Sequence, residues 1–268
     1  MRQSAEEAGA TEAAIAARAT FRRMAARCLS GRLFLAASLV GCWFPVSSHA
    51  GALPEGFVHL RDAVPEIRQD MRYAGRENFM RKRLPGYRAG ECVLTGAAAK
   101  ALRKVQNAAV KAGYSLVVFD CYRPQRAVNA MVDWVRDGTG TDPAYFPAVP
   151  RSQLITRGYI GAKSSHARGS TVDVGLEPLS GAQQGGETGA CARTDPGTAD
   201  FGTPFDCFDP ASRTGSKAVP VSVQALRREL VGLMGAGGFR NYPGEWWHFT
   251  LADESFPDTA FDFPIERR

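Results

Sequence analysis

Two short segments carry most of the chain's capacity for chemistry: Ser164-Ser165-His166-Ala167-Arg168-Gly169-Ser170-Thr171-Val172-Asp173 and Glu245-Trp246-Trp247-His248. The chain has four histidines. His49 falls in a stretch that reads as a removable leader, and two of the other three fall in these segments, each near a carboxylate. Two imidazoles and one carboxylate make a three-ligand catalytic zinc site with an open fourth position. The remaining carboxylate is then available as a general base.

The elements around these residues must bring them together. Side chains alternate along a strand, so in an unbroken strand His166 and Asp173 would face opposite sides. Gly169 permits a turn, letting His166 enter from a loop while Asp173 projects from a strand over Thr171-Val172-Asp173-Val174. Val172 and Val174 then bury the other face, and a carboxylate set between them needs a partner such as a metal. Glu245 and His248 are three apart, a spacing that shares a face on a helix, but Trp246-Trp247-His248-Phe249-Thr250-Leu251 is strand-like. Either a turn at Pro243-Gly244 or a bulge must therefore aim Glu245. At least one of the two tryptophans reads as core filler.

A third piece is Asp120-Cys121-Tyr122-Arg123-Pro124, which ends the apolar run Ser115 to Asp120, read as a buried strand. An arginine between a strand end and a helix start belongs at the lip of a cleft, where its guanidinium can bind a carboxylate or stabilise an oxyanion. A salt bridge to a nearby acid is the plainer use. The spacing predicts helices from Thr95 as N-cap to Ala112, closed by Gly113, from Pro124 to Arg136, and from Val221 to Met234, ended by Gly235 and Gly237-Gly238. Residues 177–219, dense in Gly, Thr, Pro and Asp, form a long irregular excursion of the kind often used as a lid or binding loop. Helices and strands without regular βαβ alternation predict one α+β domain with a small antiparallel sheet flanked by helices and the zinc site in a cleft over it.

Residues 1–50 read as a signal peptide: a basic stretch with Arg22, Arg23, Arg27 and Arg32, an apolar run from Leu33 to Val46, and Ser48-His49-Ala50 at the cleavage position. The run is too short to span a bilayer comfortably, so no transmembrane span is expected in the mature chain. Met24 is an alternative start, and Leu39-Val40-Gly41-Cys42 an alternative lipoprotein signal that would anchor the protein through Cys42. Both routes predict export, to the periplasm or the medium. The leader carries six Arg and three Glu. Its removal takes Lys+Arg from 33 to 27 and Asp+Glu from 27 to 24, and the net charge from +6 to +3. With no basic block, nucleic-acid binding is not supported. Four cysteines remain, and an even count in an exported protein favours disulfides; the pairing preferred is Cys92–Cys121 and Cys191–Cys207, one of three possible.

The run Ser-x-His-x-x-Gly-x-Thr-x-Asp followed by Glu-x-x-His resembles the D-alanyl-D-alanine dipeptidase family of zinc peptidases, part of a superfamily that includes cell-wall D,D-carboxypeptidases. Supporting segments are Val118 to Val128, Gly202-Thr203-Pro204-Phe205-Asp206, Phe256-Pro257 and Phe261 to Pro264, and the likeness covers roughly residues 55–266. The family usually has a smaller residue where Thr171 stands. The resemblance implies His166, Asp173 and His248 as ligands of one zinc ion, Glu245 as general base and acid, and Arg123 as the group that stabilises the transition state. It also implies Asp206 near the substrate's free amino group and Ser164 as a substrate contact. The activity implied is hydrolysis of D-Ala-D-Ala, in cell-wall dipeptide turnover or glycopeptide resistance. The alternatives are a D,D-carboxypeptidase or endopeptidase on peptidoglycan stem peptides, and a non-catalytic zinc-stabilised cell-wall binding module. The last needs neither Glu245 nor Arg123. A Ser-His-Asp hydrolase is disfavoured because no Gly-x-Ser-x-Gly elbow occurs. Oligomeric state is not legible.

Overall fold

The computed structural model describes residues 52–181 and 189–268. The leader read over 1–50, with His49, Met24 and Cys42, lies outside these residues, as do seven residues of the irregular excursion. In chain order the elements are β1 (Phe57–His59), α1 (Leu60–Ala63), β2 (Arg68–Gln69), β3 (Val93–Thr95), α2 (Gly96–Lys111), β4 (Tyr114–Asp120), α3 (Gln125–Arg136), β5 (Thr171–Pro178), α4 (Val221–Ala236), β6 (Phe239–Asn241) and β7 (His248–Leu251). Single 3-10 turns interrupt the connections, two of them at Arg72–Ala74 and Ser165–Arg168.

A five-stranded sheet in the order β2-β4-β5-β7-β6 forms the frame, and β1 and β3 make a separate antiparallel pair. All neighbours in the larger sheet are antiparallel except β2 and β4. The sheet is therefore mixed, and the expected antiparallel sheet gains a parallel edge strand. That strand has two residues, too few to show periodicity. The α+β class stands.

The helices form where the apolar spacing places them. In α2 the Thr95 hydroxyl accepts the Ala98 N–H at 3.3 Å, and Ala98, Leu102, Val105 and Ala109 turn inward, packing the helix on β4 and α4. Pro124 stands as N-cap of α3, one residue before the first helical position. Helix α4 runs past Gly235 to Ala236 and stops at Gly237-Gly238, the second of the two expected glycine breaks. The last strand begins at His248 rather than Trp246. The Trp246 N–H donates to the Ser212 carbonyl and its indole N–H to Thr203 Oγ1 at 3.0 Å, so this residue is drawn to the loop instead of the ladder. Both tryptophans are buried, as core filler should be.

The excursion after β5 contains neither strand nor α-helix among its described residues, yet much of it is interior. Phe201, Phe205 and Phe208 are buried, and Phe205 stacks on Phe119 of β4 with centroids 4.8 Å apart. It is anchored by Arg227 of α4, whose buried guanidinium donates to the carbonyls of Phe201, Ala211 and Arg213. A buried cation is tolerated here because five N–H donors in a fixed fork meet backbone acceptors. Two disulfides are present, Cys92–Cys121 and Cys191–Cys207, as the preferred pairing had it. Among the described residues no helix is long and apolar enough to cross a membrane.

Candidate active site

Sheet register assembles the site. Asp120 of β4 lies opposite Asp173 of β5, and Asp173 opposite His248 of β7. Directly paired residues share a face, so these three side chains form one row across three strands. An irregularity between Val118 and Asp120 brings the aspartate into the row. Val172 and Val174, buried beside Asp173, point to the other face as alternation requires.

His166 enters from the Ser165–Arg168 turn, which ends at Gly169 with φ 77°. A Cβ there would lie 2.2 Å from the Phe57 ring, so only glycine fits. The His166 Nδ1–H donates to the Cys121 carbonyl at 2.7 Å, which leaves the Nε2 lone pair facing inward. On the other imidazole the roles are exchanged: His248 turns Nδ1 inward while its Nε2 meets Ser165 Oγ at 3.2 Å. Orientation of a ligating histidine by its second ring nitrogen is the usual arrangement at metal sites.

Three donor atoms converge. His166 Nε2 lies 3.2 Å from His248 Nδ1 and 3.2 Å from Asp173 Oδ1, and the latter two are 3.1 Å apart. Bonds of about 2.0–2.1 Å to a tetrahedral zinc imply donor–donor edges of about 3.3 Å, so the triad fits such an ion. The ionisation states suit as well. Burial alone pushes the Asp173 carboxyl up, but the flanking imidazoles hold it well below the ordinary carboxylate range. Burial, outweighing the neighbouring Asp173, pulls His248 down and keeps it in the neutral, ligating form.

The turn over Tyr242-Pro243-Gly244, and not a bulge, aims Glu245. The Glu245 N–H donates to the Tyr242 carbonyl, its own carbonyl accepts from Asn241 Nδ2, and its carboxylate lies 3.7 Å from His248 Nδ1. Burial, then the Asp173 and Asp206 carboxylates, raise the Glu245 pKa well above its ordinary value. The group can thus hold a proton as well as take one.

Arg123 lies deeper than the cleft lip expected for it, because Asp120 draws it in. Its Nε donates to Asp120 Oδ2 at 2.9 Å, an Nη lies 3.7 Å from Asp173 Oδ2, and the guanidinium sits 4.8 Å over the Tyr73 ring. The plainer salt-bridge use and the cleft-facing use are combined in one residue, which also lines the cavity.

Asp206 also lines the cleft, its carboxylate 3.0 and 3.1 Å from the Tyr73 hydroxyl. Burial and the Asp173 charge push it up to about 7. Its backbone is left-handed, φ 60°, a conformation costing a non-glycine residue about 1 kcal/mol. Ser164 lies at the cavity wall and its carbonyl accepts the Ala167 N–H.

The cleft lined by these groups has a volume of about 260 Å³, below the roughly 300–1,000 Å³ of pockets for drug-sized ligands. Tyr159, Phe208 and Tyr242 complete its walls. All seven site residues read from the sequence thus meet in one place, and residues that reading missed support them. Asp120 holds Arg123 and accepts the Tyr87 hydroxyl at 2.7 Å; its signal was a charge closing an apolar strand. Ser165 was legible as a second hydroxyl beside His166. Tyr73 had no local signal.

Comparison with known proteins agrees. Residues 54–266 match the Peptidase M15 family, D-ala-D-ala dipeptidase. The chain is 39% identical over 212 residues to a D-alanyl-D-alanine dipeptidase of Streptomyces coelicolor, covering 78% of this chain and 98% of that protein. It is 35% identical over 213 residues to one of Enterococcus faecium, covering 79% and 98%. With one of Escherichia coli K12 it shares 30% identity over 207 residues, covering 77% and 90%.

Proposed function

The chain belongs to the D-Ala-D-Ala dipeptidase family of metallopeptidases, and from that premise we propose that it hydrolyses the free D-alanyl-D-alanine dipeptide to two D-alanines with one zinc ion held by His166, Asp173 and His248. The observation that carries this reading is the meeting of three donor atoms at 3.1–3.2 Å beside the buried carboxylate of Glu245. When bound, the metal supplies Lewis-acid polarisation of the scissile carbonyl and makes a water acidic near neutral pH.

The chain's own residues do the rest. Glu245 accepts the proton of the attacking water and returns it to the leaving amine. One positioned carboxyl serves both directions, as base toward the water and as acid toward the amine. Arg123, held by Asp120, donates to the oxygen on which negative charge develops, worth about 3–4 kcal/mol for one well-placed donor in comparable sites. Asp206 pairs with the substrate ammonium, and Ser164 contacts substrate at the wall. A small cavity with an acid at one end favours a free dipeptide over a longer or N-acylated chain.

Export fits the same reading. The two disulfides support an oxidising compartment, and the basic-then-apolar start of the chain supports a leader, with lipid attachment at Cys42 as the alternative. Turnover of wall-derived dipeptide outside the cytoplasm would use this chemistry.

The test is hydrolysis of D-Ala-D-Ala and N-acetyl-D-Ala-D-Ala, with chelator and with zinc restored. The free dipeptide should be cut, the acetylated one should not, and chelation should abolish a rate that zinc recovers. Equal cleavage of both substrates would move the assignment to a D,D-carboxypeptidase.

A further inference from the structure

The backbone of Asp206 is fixed from both sides by groups that do not line the substrate cavity. The Phe205 N–H donates to Asp195 Oδ2 at 2.6 Å, and the Phe205 carbonyl accepts from the Arg193 guanidinium. The other Asp195 oxygen accepts from Arg193 at 2.8 Å and from Arg72 at 3.0 Å. One carboxylate, 6% exposed, thus gathers two guanidinium groups and the amide next to Asp206. On the far side, Cys207 is linked to Cys191, and its carbonyl accepts the Ser212 hydroxyl at 2.6 Å. Arg72 and Tyr73 are neighbours on one 3-10 turn. The first grips the loop at Asp195 and the second grips it at Asp206 itself.

We propose that Asp195, Arg193 and Arg72 form a clamp that sets the Asp206 carboxylate in place and thereby determines the preference for a substrate with a free amino group. The inference rests on the reading of Asp206 as partner of the substrate ammonium. A left-handed aspartate persists only where its surroundings over-determine it, and the clamp does so through the two peptide groups of Phe205. Displacement of a binding group by about 1 Å is enough to cost a large factor in substrate use. Asp195 and Arg193 are positioning residues in this arrangement.

The experiment compares purified Asp195→Asn, Arg193→Lys and Asp206→Asn with the parent protein on D-Ala-D-Ala and N-acetyl-D-Ala-D-Ala, with metal content measured for each. Arg193→Lys keeps a charge beside Asp195 but lacks the fork that also reaches the Phe205 carbonyl. All three should raise KM for the free dipeptide tenfold or more, change kcat less than threefold, and lower the preference over the acetylated substrate at least tenfold, with metal content unchanged. If Asp206→Asn raises KM while both clamp variants keep the parental value, the clamp is refuted and Asp206 keeps its role. If Asp206→Asn itself leaves KM unchanged, the ammonium assignment falls and the clamp with it. Parallel loss of metal and kcat in the clamp variants overturns the inference in favour of a general structural role. Where Asp195→Asn does not fold, Arg193→Lys decides.

Discussion

The two walls of the site are positioned by different means. On the metal side, Asp120, Asp173 and His248 occupy one row of hydrogen-bonded strands, and His166 comes from a turn whose end is set by Gly169. Backbone ladders place these groups, and a slip of one residue would turn each to the wrong face. On the side proposed to receive the substrate amine, Asp206 stands on a loop without regular structure, held by the Asp195 ion cluster, by Tyr73 and by a disulfide. Repetitive backbone bonding makes the first wall insensitive to most side-chain changes outside its row. The second depends on individual side chains, each of which can be removed.

Breaking the metal wall at its acid–base member should have the largest effect. Glu245→Gln removes the proton carrier and leaves the three donors intact. The expected loss in kcat is about a thousandfold, within the 10²–10⁴ typical of general acid–base groups, with metal content unchanged by atomic absorption. A variant that retained full kcat would exclude Glu245 as the base.

Next comes the residue that bridges the walls. Arg123→Lys keeps the charge but not the fork that joins Asp120 to the cavity, and about a hundredfold loss in kcat is expected. If KM rises instead with kcat intact, Arg123 binds ground-state substrate and belongs functionally to the amine wall.

The amine wall should show itself through pH. With the Asp206 carboxyl raised to about 7, its anionic form is lost as pH falls through that value, and kcat/KM should decline about tenfold per unit below it. Asp206→Asn should remove the step near 7 and leave only the acid limb set by the Glu245 base. A step near 7 that persists in the variant reports another group.

The smallest catalytic effect is expected from Cys191→Ser combined with Cys207→Ser. Opening this cross-link, whose cysteines are 16 residues apart, should cost about 3 kcal/mol of stability by loop entropy, read in denaturant titration. The kcat at saturating substrate should change little. Loss of kcat equal to that of Arg123→Lys would show that the loop also supports the metal wall.

The same contrast explains what could be read in advance. The metal wall was legible because strand alternation and a glycine turn are written locally: His166, Gly169 and Asp173 lie within eight residues, and Glu245 and His248 within four. Valines on either side of Asp173 fixed the face it would take. The depth of Arg123 was not legible, since it follows from pairing with Asp120 inside the sheet. The support of Asp206 was hidden for a related reason. Asp195 and Arg72 are 123 residues apart, and no periodicity connects residues joined only by a buried ion pair. Strand β2 escaped because two residues carry no pattern, and the start of β7 was misjudged because the indole of Trp246 binds the loop instead of extending the strand.

The pairing of Asp173 with His248 across β5 and β7 has a consequence for folding. These donors are 75 residues apart in the chain, so they meet only after the C-terminal hairpin has docked onto the centre of the sheet. An ion that fits the triad therefore has its site in the native chain and nothing equivalent in the unfolded one. It acts as a thermodynamic ligand of the folded state, adding about 4 kcal/mol when its free concentration is a thousand times its dissociation constant. Metal supply would then govern how long the finished molecule survives as well as how fast it works.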